Sequence, residues 1–411
     1  MISAEKFINV IHELFLNPLL IESWGFNPRW SIKILDYALL FTNPYSSASL
    51  GKSNGKCIWW HEEPLNKFDM ETIQYSDHYI TYSKLSESNA QRTLLEKNLD
   101  SFFLNDCNIT ILANSEISDD KKQFLKKWQI YDWYFFFHGF AALSWFKDYK
   151  YLNFSHYSFD KVFICLNHLI TNNRSYRLNL LSHLKEKNLL PYGHVSCPLL
   201  SRDLVKEEVT NFNSKLSSDA KKHIFRYLYP DSAPLILDNI NYNDASSKIN
   251  EQFMYDSLWN VVTETIFYED KLHLTEKIFK PIVTKRPFIL VSSSGNLNYI
   301  KSYGFKTFDR WIDESYDNER DHDRRISMIV AELEKLCKLP KHELIQMHLE
   351  MQEILEYNFN HFYGDFKNII IKELIDNFDS CMKQYNLHLS QHKMLPVDNL
   401  DLEHIYNFIA N

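Results

Sequence analysis

Thr275, Glu276 and Lys277 have residue types and spacing that could hold a phosphorylated ligand. The apolar run of residues 258–263 leads to Glu264, a loop follows, and a helical period begins at Thr275 and continues to residue 285. Threonine is a favoured N-cap, because its hydroxyl satisfies one of the orphan amides of a first helical turn. The remaining amides and the helix dipole favour an anion such as a diphosphate. Lys277 adds a full positive charge, and the Glu276 carboxylate suits the two hydroxyls of a ribose. The same three residues also make an ordinary capped helix start, and spacing leaves both readings open.

The elements that must position this segment alternate along the chain. In the first third, residues 32–42, 56–60, 77–83, 108–114 and 133–137 read as short buried strands, with helical stretches at 87–98 and 119–128. Such alternation predicts a mostly parallel, doubly wound α/β sheet. The pattern restarts near Lys161, with a strand at 161–167 and an amphipathic helix at 174–187 carrying Leu178, Leu181 and Leu184 on one stripe. Residues 234–238, 258–263 and 286–292 predict further strands, and 296–302 a short helix. Residues 324–385 read as helical, broken near Pro340 and Gly364, while 211–250 read as an irregular excursion. The periodicity lapses between Tyr149 and Lys161, which predicts domains at 1–155 and 156–385 and a tail at 386–411 returning to the first domain. Two such units in tandem would place a ligand cleft at the C-terminal edges of their strands.

Composition narrows the function class. A chain of 411 residues, 45% hydrophobic and 15% aromatic, is long enough for two cores. No apolar run reaches membrane-spanning length and the first residues lack a signal-peptide pattern, so the expected location is cytoplasmic. Cys57, Cys107, Cys165, Cys197, Cys337 and Cys381 are scattered without C-x-x-C spacing, so neither a zinc site nor a disulfide framework is expected. A net charge of −8 argues against broad nucleic-acid binding.

Residues 262–265 (Val-Thr-Glu-Thr), 274–280 (Leu-Thr-Glu-Lys-Ile-Phe-Lys) and 286–290 (Arg-Pro-Phe-Ile-Leu) resemble the donor-binding region of α1,3-fucosyltransferases and related GT-B enzymes. Residues 165–168 (Cys-Leu-Asn-His) and 173–177 (Asn-Arg-Ser-Tyr-Arg) resemble that family's arginine-bearing helix start. The stretch 304–317 is similar to viral and marine bacterial proteins with glycosyltransferase-like C-terminal domains. The resemblance spans residues 161–325 and departs from the family at Pro281, which would remove a helix hydrogen bond. It implies a GT-B architecture: two Rossmann-like domains facing a cleft, with a helical C-terminus. By the same carry-over Arg174 or Arg177 and Lys277 would hold a diphosphate, Glu276 the ribose, and Glu264 the sugar or ribose side.

The implied activity is transfer of a sugar from a nucleotide-diphosphate donor to a hydroxyl acceptor. Glu269 and Glu276 stand one residue too close for the Glu–Glu pair of retaining GT-B enzymes, and Glu264 too far, which favours inversion. Inversion needs a general base. Glu62 and Glu63, following Trp59, Trp60 and His61 at a predicted strand end, are the first candidates, because tryptophans beside carboxylates suit sugar rings; they could equally form a solvated turn. His138, after Phe135–Phe137, is the second. No Asp-x-Asp stands at a strand end, and the acidic run Asp313, Glu314, Asp317 lacks calcium-loop spacing, so no metal or other cofactor is expected. The acceptor could be a glycan. Alternatively it could be hydroxymethylated phage DNA, with Lys121, Lys122, Lys126, Lys127, Lys147 and Lys150 as the phosphate-facing patch. A module that binds the nucleotide sugar without turnover is the third reading.

Overall fold

The computed structural model describes residues 47–49, 56–61, 73–76, 79–82, 109–128, 131–152, 158–237 and 248–391. The chain divides into two compact units, Met1–Ser144 with Lys367–Asn411, and Trp145–Phe366. Among the described residues no helix is long and apolar enough to cross a membrane.

The first unit contains strands β1 (Ser47–Ser49), β2 (Lys56–His61), β3 (Ile73–Ser76), β4 (Tyr79–Tyr82) and β5 (Ile109–Asn114). Helix α1 (Asp119–Trp128), strand β6 (Tyr131–Tyr134) and helix α2 (Phe137–Trp145) follow. Strands β2, β5 and β6 form a parallel sheet in that order, with Lys56 opposite Ile109 and Ile111 opposite Tyr131. The strand expected at 77–83 is β4, but it pairs antiparallel with both β1 and β3. Ser76 of β3 stands opposite Tyr79 of β4, a connection far too short for a parallel crossover. The run 133–137 is only half strand, since the chain turns helical at Phe137. A short aromatic run serves a buried strand or a buried helix start equally well. Trp133 donates its indole N–H to the Leu374 carbonyl, and Glu373 accepts from the Phe136 amide. The C-terminal helix is thereby tied to the end of β6.

The second unit is built on β7 (Lys161–Leu166), α3 (Tyr176–Glu186), β8 (Gly193–Ser196), α4 (Arg202–Thr210), α5 (Ser218–Tyr227) and α6 (Glu251–Asp256). It continues with β9 (Ser257–Thr263), α7 (Phe279–Val283), β10 (Phe288–Val291), α8 (Asn296–Ser302), α9 (His322–Lys338), α10 (Lys341–Tyr363) and the first residues of α11 (Asp365–Gln391). Its sheet is wholly parallel in the order β10-β9-β7-β8. Every residue of β9 and β10 is buried, as helix-covered parallel strands require.

Two expectations fail here. Of the strand expected at 234–238, the described residues 234–237 form none; Leu235 makes a single bridge with Cys197. Residues 211–250 are not irregular throughout, because α5 lies within them. Ser217 caps it, accepting from the Ala220 amide at 2.9 Å, and Leu216, Ala220, Ile224 and Leu228 are buried at a four-residue spacing.

Candidate functional site

Strand order sets where the second unit can hold a ligand. From β7 the chain crosses through α3 to β8 on one side, whereas β9 lies on the other side of β7 and leads outward through α7 to β10. The connections leaving the C-terminal ends of β7 and β9 therefore diverge and open a crevice, the topological switch point at which such sheets bind ligands. Residues 167–175 and 264–276 form its two sides.

On the β9 side, Glu264 is fully buried and grips the start of the next helix. Its Oε2 accepts from the Thr275 hydroxyl at 2.5 Å and its Oε1 from the Thr275 amide at 3.2 Å. Thr275 is the N-cap, as its type predicts, and its Oγ1 accepts from the Lys277 amide at 3.4 Å. The Lys277 ammonium also donates to that oxygen at 3.0 Å and lies 3.5 Å from Glu276 Oε1. Burial pushes the Glu264 carboxyl above its ordinary range, opposed chiefly by the Lys277 charge. The helix opens as a 3₁₀ turn, Glu276–Ile278, before α7. Pro281 sits in the first turn of α7, where a missing amide costs little, and the helix ends at Val283.

On the β7 side, Asn167 Oδ1 accepts from the Thr263 hydroxyl at 2.9 Å, joining the two strand ends. Arg174 closes the 3₁₀ turn Asn172–Arg174 and is partly exposed. Arg177 lies one turn further on and is buried, with a different job. Its Nη2 donates to the carbonyls of Thr263 and Glu264 at 2.8 and 3.2 Å, and its Nη1 to that of Leu169 at 2.8 Å. Its guanidinium thus holds the rim of the crevice in shape, while Arg174 keeps a partly exposed position beside it.

Aromatic packing backs this frame. Tyr176 donates to the Glu264 carbonyl at 2.5 Å and stacks on Phe267 with centroids 4.3 Å apart. Arg325 covers Phe267 at 4.3 Å and donates to its carbonyl at 2.6 Å. Tyr268 and Ser175 share a hydrogen bond of 3.0 Å across the two sides. Asn167 and Tyr176 fall within quoted motifs, although their supporting roles depend on contacts about 90 residues apart in sequence. Arg325 carries no local signal that could have marked it.

Glu62 and Glu63 lie outside the described residues. His138 is the second residue of α2, buried and edge-on to the Phe137 ring at 5.4 Å, in the first unit. The acidic run near residue 313 caps and braces backbone. Asp313 accepts from the Ser315 amide, Glu314 from that of Phe308, and Asp317 from that of Leu297. Lys121 is not part of a surface patch, because it is buried and paired with Asp132 at 3.0 Å.

Comparison with protein-family models, curated proteins and solved structures gives no match.

Proposed function

We propose that the second unit binds a nucleotide-diphosphate sugar at the β7–β9 switch point and that the chain is a glycosyltransferase of GT-B type. The observation that carries the reading is a charged, capped helix start after β9, at Thr275 and Lys277, together with a partly exposed arginine, Arg174, after β7, the two strands that flank the switch point. On this reading Lys277 and Arg174 meet the diphosphate charge, Glu276 the ribose hydroxyls, and Glu264 and Arg177 hold the frame. The acceptor oxygen attacks the anomeric carbon, the bond from that carbon to the diphosphate breaks, and the nucleotide diphosphate leaves with the electron pair. The acceptor proton passes to a general base, for which Glu62 and Glu63 are the candidates, giving inversion. The chemistry is metal-independent in this proposal, with the leaving charge stabilised by lysine, arginine and the helix start.

Thermal stabilisation of the purified chain by UDP, GDP, CMP and ADP, and by their sugars, tests the site. A shift with one diphosphate that disappears in Lys277→Ala supports it; no shift with any of them removes the proposal. Donor hydrolysis or transfer lost in Glu62→Gln or Glu63→Gln then separates an enzyme from a module that only binds.

A further inference from the structure

The connection between α4 and α5, residues 211–217, is fastened to both loops that line the β7–β9 switch point. On the β7 side, Glu208 of α4 accepts from the Asn172 amide at 3.0 Å through Oε1, and its Oε2 accepts from the Ser214 hydroxyl at 3.3 Å. On the β9 side, the Lys215 ammonium pairs with Glu269 Oε1. The two loops also meet directly, at the 3.0 Å hydrogen bond between Ser175 and Tyr268. Asn172 stands three residues before Ser175 and Glu269 follows Tyr268, so the connection is attached close to the point where the loops touch.

The ends of this connection are held more firmly than its middle. Asn211 closes α4, its amide donating to the Glu207 carbonyl at 2.8 Å, and its own carbonyl accepts from Lys221 at 2.7 Å. Ser217 caps α5 and donates to Asp323 of α9. Of residues 211–217 only Leu216 is buried, and Phe212 is fully exposed. So little apolar burial leaves local opening inexpensive. The Lys215 and Glu269 side chains are 37% and 18% exposed, and an ion pair in that position adds little net stability and weakens with salt.

Release of Lys215 leaves Glu269 compensated. Glu269 Oε2 lies 3.5 Å from the ammonium of Lys271, whose side chain is 1% exposed. Breaking an inward-facing ion pair is costly when it leaves one charge buried alone. Here Lys215 swings into water while Glu269 keeps a buried counter-charge, so the pair can open and close without disturbing the loop that carries Glu269.

We propose that residues 212–215 form a flap, latched by Lys215 on Glu269, that opens to admit a nucleotide diphosphate to the switch point and closes behind it. The flap rests on the nucleotide reading of that crevice and adds to it the element that sets how fast the ligand enters and leaves.

Stopped-flow mixing of the full chain with N-methylanthraniloyl GDP and UDP tests the latch. Lys215→Ala is expected to raise both the association and the dissociation rate constants by about 5-fold, to change the dissociation constant by less than about 2-fold, and Lys215→Arg to stay near the wild type. In the ligand-free chain, hydrogen exchange of the 213–216 amides accelerates by a similar factor in Lys215→Ala, while that of α3 is unaltered. Nucleotide binding at wild-type rates in Lys215→Ala overturns the flap and leaves the crevice reading standing. Slower association alone overturns it too, by making Lys215 a direct ligand contact. Failure of both nucleotides to bind removes the crevice reading and the gate with it, and exchange that is equally slow in wild type and Lys215→Ala removes the latch whatever binds.

Discussion

Glu264 and Thr275 are joined twice, through the threonine hydroxyl at 2.5 Å and its amide at 3.2 Å, and both bonds are buried. This pair couples the end of β9 to the start of the helix that leads to β10, so the side of the crevice bearing Lys277 is set by a strand rather than by a free loop. Thr275→Ala removes the cap and leaves a buried carboxylate with one bond fewer. A loss of about 1–3 kcal/mol is expected, read as a lower urea midpoint at unchanged m-value. Thr275→Ser keeps the hydroxyl and stays close to wild type. Equal stability of the alanine variant would mean that the pair does not anchor the helix.

The two arginines at the β7 side separate by burial. Arg177→Ala removes the guanidinium from the carbonyls of Leu169, Thr263 and Glu264, of which the last keeps Tyr176, and is expected to lower stability by about 3 kcal/mol. Arg174→Ala, at a partly exposed position, is expected to lower stability by less than Arg177→Ala. On the proposed function it also weakens nucleotide-diphosphate binding by about 1.5–3 kcal/mol. Paired unfolding and calorimetric titrations of the two variants check both halves of the contrast. The reverse pattern would exchange their roles.

Lys277 is a third exposed and borders the buried Thr275 hydroxyl. Lys277→Ala should weaken binding of a nucleoside diphosphate by about 10-fold or more, through loss of a charge-assisted contact, and leave binding of the parent nucleoside unchanged. Equal losses for both ligands would show that the lysine shapes the pocket rather than meeting phosphate.

Local chemistry was legible where one residue type satisfies a local need. Thr275 as N-cap and the buried strands β9 and β10 follow from their own neighbourhoods. What escaped depends on partners distant in sequence. The resemblance offers Arg177 as a phosphate-binding residue, and only the approach of Thr263 and Glu264, 86 and 87 positions away, directs it to carbonyls. Lys121 belongs to a lysine-rich helix that looks solvated until Asp132 folds over it. The histidines of α3 and α5 form a cluster only once a segment expected to be irregular becomes a helix.

His348 of α10 gives the second unit a built-in acid sensitivity. It is 2% exposed, meets the Phe159 ring edge-on at 4.9 Å, and accepts from the Gln352 amide at 2.8 Å. Burial, aided by the Arg286 charge, pushes its imidazole down to about 3. Between an unfolded value of 6.5 and about 3, the unfolded chain binds this proton and the native chain does not. The native state therefore loses about 1.4 kcal/mol per pH unit from this residue as the pH falls through that window. His168, His183, His194 and His322 are shifted in the same direction and steepen the loss. His348→Gln cannot take up the proton, so its urea midpoint should fall less between pH 7 and pH 5 than that of the wild type. Parallel pH profiles for the two proteins would show that His348 becomes protonated without unfolding the unit.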